Sequence, residues 1–164
     1  MNKYANIASR SAKFINQNFN GFLSEQLDSA ELIEDFKDSA NKVANFYENL
    51  EFSKAMKEIM SLADKANQYV DSKQPWVLIK EEGKEELVQS ICTTSINLFR
   101  ILTVMLHPVI PGFTNTALNF LNEEEITWDS IDTPLLGCEV NDFEPIVTRI
   151  DEKQINQLLG EENG

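Results

Sequence analysis

The chain has 164 residues, enough to bury the core of one domain. Apolar residues make up 42%, with ten Phe, which argues against disorder, and no unbroken apolar run approaches the ~18 residues of a membrane span. The net charge of −13 is unevenly spread: residues 1–24 hold Lys3, Arg10 and Lys13 and no acid, whereas residues 121–164 hold two bases and twelve acids. A free nucleic-acid binder is ordinarily basic, so this balance excludes most of the surface from that role and leaves one window, the first helix.

Residues 3–19 read as a helix. Tyr4, Ile7, Ala8, Ser11, Phe14, Ile15 and Asn18 share one stripe at helical spacing, and Asn6, Arg10, Lys13 and Gln17 share the opposite face. Asn20-Gly21 ends it. A second helix is expected over 29–49, capped by Asp28 with Glu31, and buried through Leu32, Ile33, Phe36, Ala40, Val43, Ala44 and Tyr47. A third covers 51–71, with Phe52, Ala55, Met56, Ile59, Leu62, Ala63, Ala66 and Val70 facing inward. Asn67 and Asp71 stand one turn apart near its end.

Pro75 suits the first turn of a new helical segment, a short turn over 75–80 that breaks at Gly83. The fourth helix, 84–107, is the most apolar, through Leu87, Ile91, Leu98, Phe99, Leu102, Met105 and Leu106, and belongs at the bundle centre. His107-Pro108 stops it. A short fifth helix follows Pro111 to Leu121. Residues 122–150 read as irregular, and Asp151 with Gln154 caps a last short helix to about Leu159. The fold class is all-α: a helical bundle over 1–121, with an irregular tail and short helix over 122–164 packed on it as one domain.

Little in the chain supports an active site. The single histidine, His107, abuts a proline at a helix end, where a cation is favoured structurally. Without a His pair or a Cys-x-x-Cys no metal site is expected, and six scattered glycines form no phosphate loop. Cys92 and Cys138 read as reduced thiols of a cytoplasmic protein. The run Glu123-Glu124-Glu125 reads as a solvated loop.

A binding constellation fits better. Asn6 and Arg10 lie four residues apart on one face, about 6 Å along the axis. Asn offers a donor and an acceptor to a base edge; Arg offers a planar fork and a stacking surface. Trp76, fixed behind Pro75, could offer a platform to an unstacked base if exposed. By composition alone, a buried Trp76 and an ordinary polar helix face are the default readings.

The order of motifs carries a resemblance. Lys3-Tyr4-Ala5-Asn6-Ile7-Ala8-Ser9-Arg10-Ser11-Ala12-Lys13-Phe14-Ile15-Asn16 resembles the opening of the helical anticodon-binding domain of methionyl-tRNA synthetases. Glu58-Ile59-Met60-Ser61-Leu62-Ala63-Asp64-Lys65-Ala66-Asn67-Gln68-Tyr69-Val70-Asp71, running on to Pro75-Trp76, is similar to that family too. So are Asn97-Leu98-Phe99-Arg100, His107-Pro108-Val109-Ile110-Pro111, Trp128 and Pro134-Leu135-Leu136-Gly137. Each motif is modest; together they run in order from Lys3 to about Leu159.

The resemblance implies a reader of the CAU anticodon of methionine tRNA. In it, Trp76 stacks on the first anticodon base, Asn6 and Arg10 bond to anticodon bases, and Asn67, Asp71 and Pro75 support them. It implies partnership with a catalytic domain, where ATP and methionine would bind, and no cofactor on this chain. The family's HIGH-type motif needs two histidines, and its lysine-rich KMSKS-type loop finds only a faint echo in Glu51-Phe52-Ser53-Lys54-Ala55. No catalytic residue is therefore expected here, and Met1 is expected to mark a truncated or split form. A stand-alone protein-interaction domain that kept the fold is the competing expectation, favoured by a buried Trp76. One difficulty is geometric: in a plain up-down bundle the start of helix one and the end of helix three lie at opposite ends, so crossed helices or a fold-back at Trp76 are required.

Overall fold

The computed structural model describes residues 2–144, with Asn2 described by its backbone alone. Six α-helices follow in order: α1 Asn2–Asn18, α2 Ala30–Glu48, α3 Phe52–Lys73, α4 Pro75–Leu78, α5 Glu85–Leu106 and α6 Pro111–Leu121. A 3-10 turn, Trp128–Asp132, lies in the tail. Among the described residues the only β-type pairing is an isolated bridge between Phe22 and Glu139. The last short helix expected near residues 151–159 lies outside the described residues.

α5 is the axis of the bundle. Every residue from Ile91 to Leu106 is buried, and α1, α2, α3, α4, α6 and the 3-10 turn all touch it. By length and a mean hydropathy of 1.3 this helix could cross a membrane, but 83% of its apolar window is covered by the other helices, as suits a core helix. A helix buried all round must satisfy its own polar groups. Thr93, Thr94 and Thr103 donate to carbonyls one turn back, at 2.7, 2.9 and 2.8 Å. The Ser11 hydroxyl of α1 meets the Ser95 hydroxyl at 2.7 Å.

α1 lies antiparallel along α5. The Tyr4 ring stacks on Phe99 with centroids 4.6 Å apart, and its hydroxyl bonds the Thr103 hydroxyl. The stripe forms as expected through Ile15, with Phe14 half-buried and Ala12 buried beside it, while Asn18 at its end is exposed. Asn20 and Gly21 close the helix with positive φ, and Gly21 donates to the Ile15 carbonyl at 2.9 Å. A Cβ on Gly21 would come within 3.0 Å of the Val140 carbonyl oxygen, so the close pass of the tail needs glycine as well.

Three details differ from the sequence reading. The α2 cap is Ser29, whose hydroxyl accepts from the Leu32 N–H, because Asp28 is drawn away by Tyr69 and Lys73. Phe52 and Leu87, expected inward, are 38% and 37% exposed, since each stands in the first turns of its helix beyond the packed centre. Glu123 is not a solvated loop residue: it accepts two bonds from Arg100 Nε, at 3.2 and 3.0 Å, and one from Nη2 at 2.9 Å. Arg100 Nη1 donates to the Ser130 and Thr133 carbonyls, so one buried guanidinium ties α5 to the tail. Asn97 adds a paired bond to the Leu135 backbone. Glu124 and Glu125 are exposed, as expected. His107 caps α5 and shares a 2.7 Å hydrogen bond with the Thr114 hydroxyl.

Candidate nucleic-acid interface

α1 and α3 run parallel and out of step. Lys3 Nζ pairs with Asp64 at 2.8 Å, Asn67 Nδ2 donates to the Lys3 carbonyl at 2.8 Å, and Arg10 Nη2 pairs with Asp71. The partner of Lys3 is twelve residues into α3, so α1 starts about 18 Å up the longer helix. The start of α1 therefore lies beside the end of α3. The conflict expected from a plain bundle disappears through this stagger rather than through steep crossing.

A second device brings Trp76 back. Gln74 has φ 50° and ψ 58°, the left-handed conformation, and serves both as the end of α3 and as the entry to α4. A residue with a Cβ pays about 1–2 kcal/mol for that conformation. The reversal places Pro75 at the first position of α4, buried, and leaves Trp76 on the surface, 38% exposed. The Arg10 guanidinium carbon lies 5.0 Å from the centre of the Trp76 ring. One planar cation thus rests on an aromatic ring while its own fork is held by the Asp71 carboxylate.

The structure brings together Arg10, Asp71 and Trp76, and Pro75, the neighbour of Trp76 in the chain, is buried. Asn67 works one turn lower, tying α3 to the first turn of α1, and it also bonds the Ala63 carbonyl at 3.0 Å. Asn6 is exposed one turn before Arg10 on the same face of α1, and among the described residues its side-chain amide has no hydrogen-bond partner. Lys13, one turn beyond Arg10, is exposed and makes no ion pair among the described residues.

The surface has chemistry suited to an unpaired base: a partly bare aromatic ring, a planar cation and an open amide. Among the described residues no group of three or more His, Cys, Asp or Glu could hold a metal ion. The acidic partners Asp64 and Asp71 offset Lys3 and Arg10, so the surface is balanced in charge rather than strongly basic.

Sequence reasoning missed three supporting residues. Tyr69 donates to Asp28 Oδ2 at 2.7 Å, and Lys73 Nζ pairs with the same oxygen at 3.1 Å. Burial, then the Asp28 hydrogen bond and charge, push the Tyr69 phenol well above its ordinary range, so it remains a donor. These contacts join residues 41 to 45 positions apart, and no local spacing announces them.

Known proteins share this architecture. The crystal structure of the free Mycobacterium tuberculosis methionyl-tRNA synthetase superposes with a TM-score of 0.81 at 20% identity, covering 90% of this chain and 32% of that one. The same organism's enzyme bound by methionyl-adenylate gives 0.80 at 19% identity, covering 88% and 30%. The chain thus spans about a third of the length of these solved synthetases. A family model described as the anticodon binding domain of methionyl tRNA ligase matches residues 23–152. That match takes in most of the chain, which therefore belongs to the family of anticodon-binding domains of methionyl tRNA ligases.

Proposed function

We propose that this domain reads the CAU anticodon of methionine tRNA with Trp76, Arg10 and Asn6, as the discriminating part of a methionine–tRNA ligase. The observation that carries the reading is the exposed Trp76 ring held against the Arg10 guanidinium at the meeting of α1 and α3. Trp76 provides the face on which the first anticodon base, a cytosine, stacks. Arg10 keeps spare N–H groups for base or phosphate oxygens while Asp71 fixes its plane. The Asn6 amide can donate to and accept from one base edge.

The acid-rich composition is compatible with this division of labour. Long-range charge would repel RNA, so the domain contributes choice more than grip, and other parts of the ligase supply backbone contacts. ATP and methionine belong, in this reading, to the ligase's catalytic domain, this domain's partner, and the protein works in the cytoplasm.

The test is a titration with a CAU anticodon stem-loop in a Trp128→Phe background, where Trp76 alone reports. Stacking should change Trp76 emission as the loop binds. Trp76→Ala should weaken binding by about 1–3 kcal/mol, whereas Glu124→Ala, at an exposed position in the tail, should not weaken it. Binding without any Trp76 response would refute the proposed stacking.

A further inference from the structure

We infer that Asp28, Tyr69 and Lys73 form a latch that positions Trp76, so that Asp28, in the α1–α2 loop and far from Trp76 in sequence, is a positioning residue for base recognition. The inference rests on the anticodon reading for its functional half and on geometry for the rest.

The latch begins on the rigid core. The Ser24 and Asp28 backbone N–H groups donate to the Thr93 and Thr94 hydroxyls of α5, each at 2.8 Å. Both hydroxyls are themselves bonded back to α5, so the loop is pinned to the most buried helix of the bundle. The Asp28 side chain, 12% exposed, then takes the Tyr69 hydroxyl and the Lys73 ammonium. Lys73 also lies 5.9 Å from the centre of the Tyr69 ring. The last turn of α3 is thereby held on one side by the loop and on another by Arg10 through Asp71.

What that turn controls is the exit of the chain. Lys73 is the last residue of α3, and the next residue is the left-handed Gln74. A side-chain-bearing residue keeps a left-handed conformation only where its surroundings over-determine it. Helix ends left to themselves fray. With the latch released, the last turn of α3 can relax, Gln74 can leave the left-handed region, and Pro75-Trp76 is no longer directed onto Arg10. Stacking would then cost the ordering of the segment in addition to the contact itself.

The test uses the full chain with Trp128→Phe, so that Trp76 is the reporter, and compares Tyr69→Phe, Lys73→Gln and Asp28→Asn with it. Acrylamide quenching and fluorescence anisotropy of Trp76 are read without RNA, at a temperature where each variant is folded. Preference for the CAU stem-loop over one with its first anticodon base changed is read separately. Tyr69→Phe and Lys73→Gln should each raise quenching and lower anisotropy, and Tyr69→Phe should reduce the preference by about tenfold. Asp28→Asn keeps a neutral acceptor for Tyr69 but loses the ion pair with Lys73, so its effect should at least match that of Lys73→Gln. Variants that melt earlier yet leave Trp76 quenching and anisotropy unchanged would overturn the latch. Lys73→Gln decides the matter should Tyr69→Phe not fold, because Lys73 is 42% exposed at a helix end. A parent protein with no base preference would remove the anticodon reading, while the RNA-free quenching would still decide whether the latch holds Trp76.

Discussion

Replacing Arg10 by alanine separates a recognition role from a structural one. The Arg10 side chain is 31% exposed and that of its partner Asp71 62% exposed. An ion pair so open to water contributes at most ~1 kcal/mol, and the stacking on Trp76 adds about 0.5–1 kcal/mol at an exposed site. Arg10→Ala should therefore cost the fold no more than about 2 kcal/mol, a fall in Tm of at most about 8 °C. Its effect on RNA should be larger in proportion: about 1–3 kcal/mol of stem-loop affinity, with relaxed base preference. Urea unfolding followed by circular dichroism measures the first quantity, and fluorescence anisotropy of a labelled stem-loop in the same buffer measures the second. A loss of stability above about 3 kcal/mol, or unchanged affinity in a folded variant, would refute this reasoning.

Arg100 should behave in the opposite way. Its guanidinium is buried, so Glu123→Ala leaves an uncompensated charge and should cost about 3–5 kcal/mol, read as a lowered urea midpoint. The alkaline limb of stability gives a further check. Burial pushes the Cys92 thiol up to about 12 from its ordinary value of 9.0. Between those values the folded chain keeps a proton that the unfolded chain releases. The contribution is whole below pH 9, falls by about 1.4 kcal/mol per pH unit above it, and is spent near pH 12. Cys92→Ala should flatten that slope in unfolding curves taken across the range.

Much of the fold was legible because it depends on local pattern. The stripe of Tyr4, Ile7, Ala8, Ser11 and Ile15 declared the buried face of α1, and Asn20-Gly21 declared its end. The apolar residues Ile91, Leu98, Phe99, Leu102, Met105 and Leu106 made α5 the most apolar helix and placed it at the centre, although Thr93, Thr94, Asn97 and Arg100 are buried with them. What stayed hidden depends on distant partners. Nothing beside Asp28 announces that Tyr69 and Lys73 will claim it, and so the cap moved to Ser29. Nothing beside Glu123 announces Arg100. The candidate site was legible as a set of residue types, since Asn6, Arg10 and Trp76 suit a base. The meeting of Arg10 with Trp76 was not, because it needs an axial stagger of two helices and a left-handed Gln74, a residue type without the usual signature of that conformation.

Binding of two anticodon stem-loops that differ only in the first anticodon base tests the central claim most directly. With Trp76 as the reporter, the loop carrying CAU should bind about tenfold or more tightly than its partner, with a change in emission that the partner does not match. Equal affinity and equal emission change for the two loops would contradict base reading by this surface.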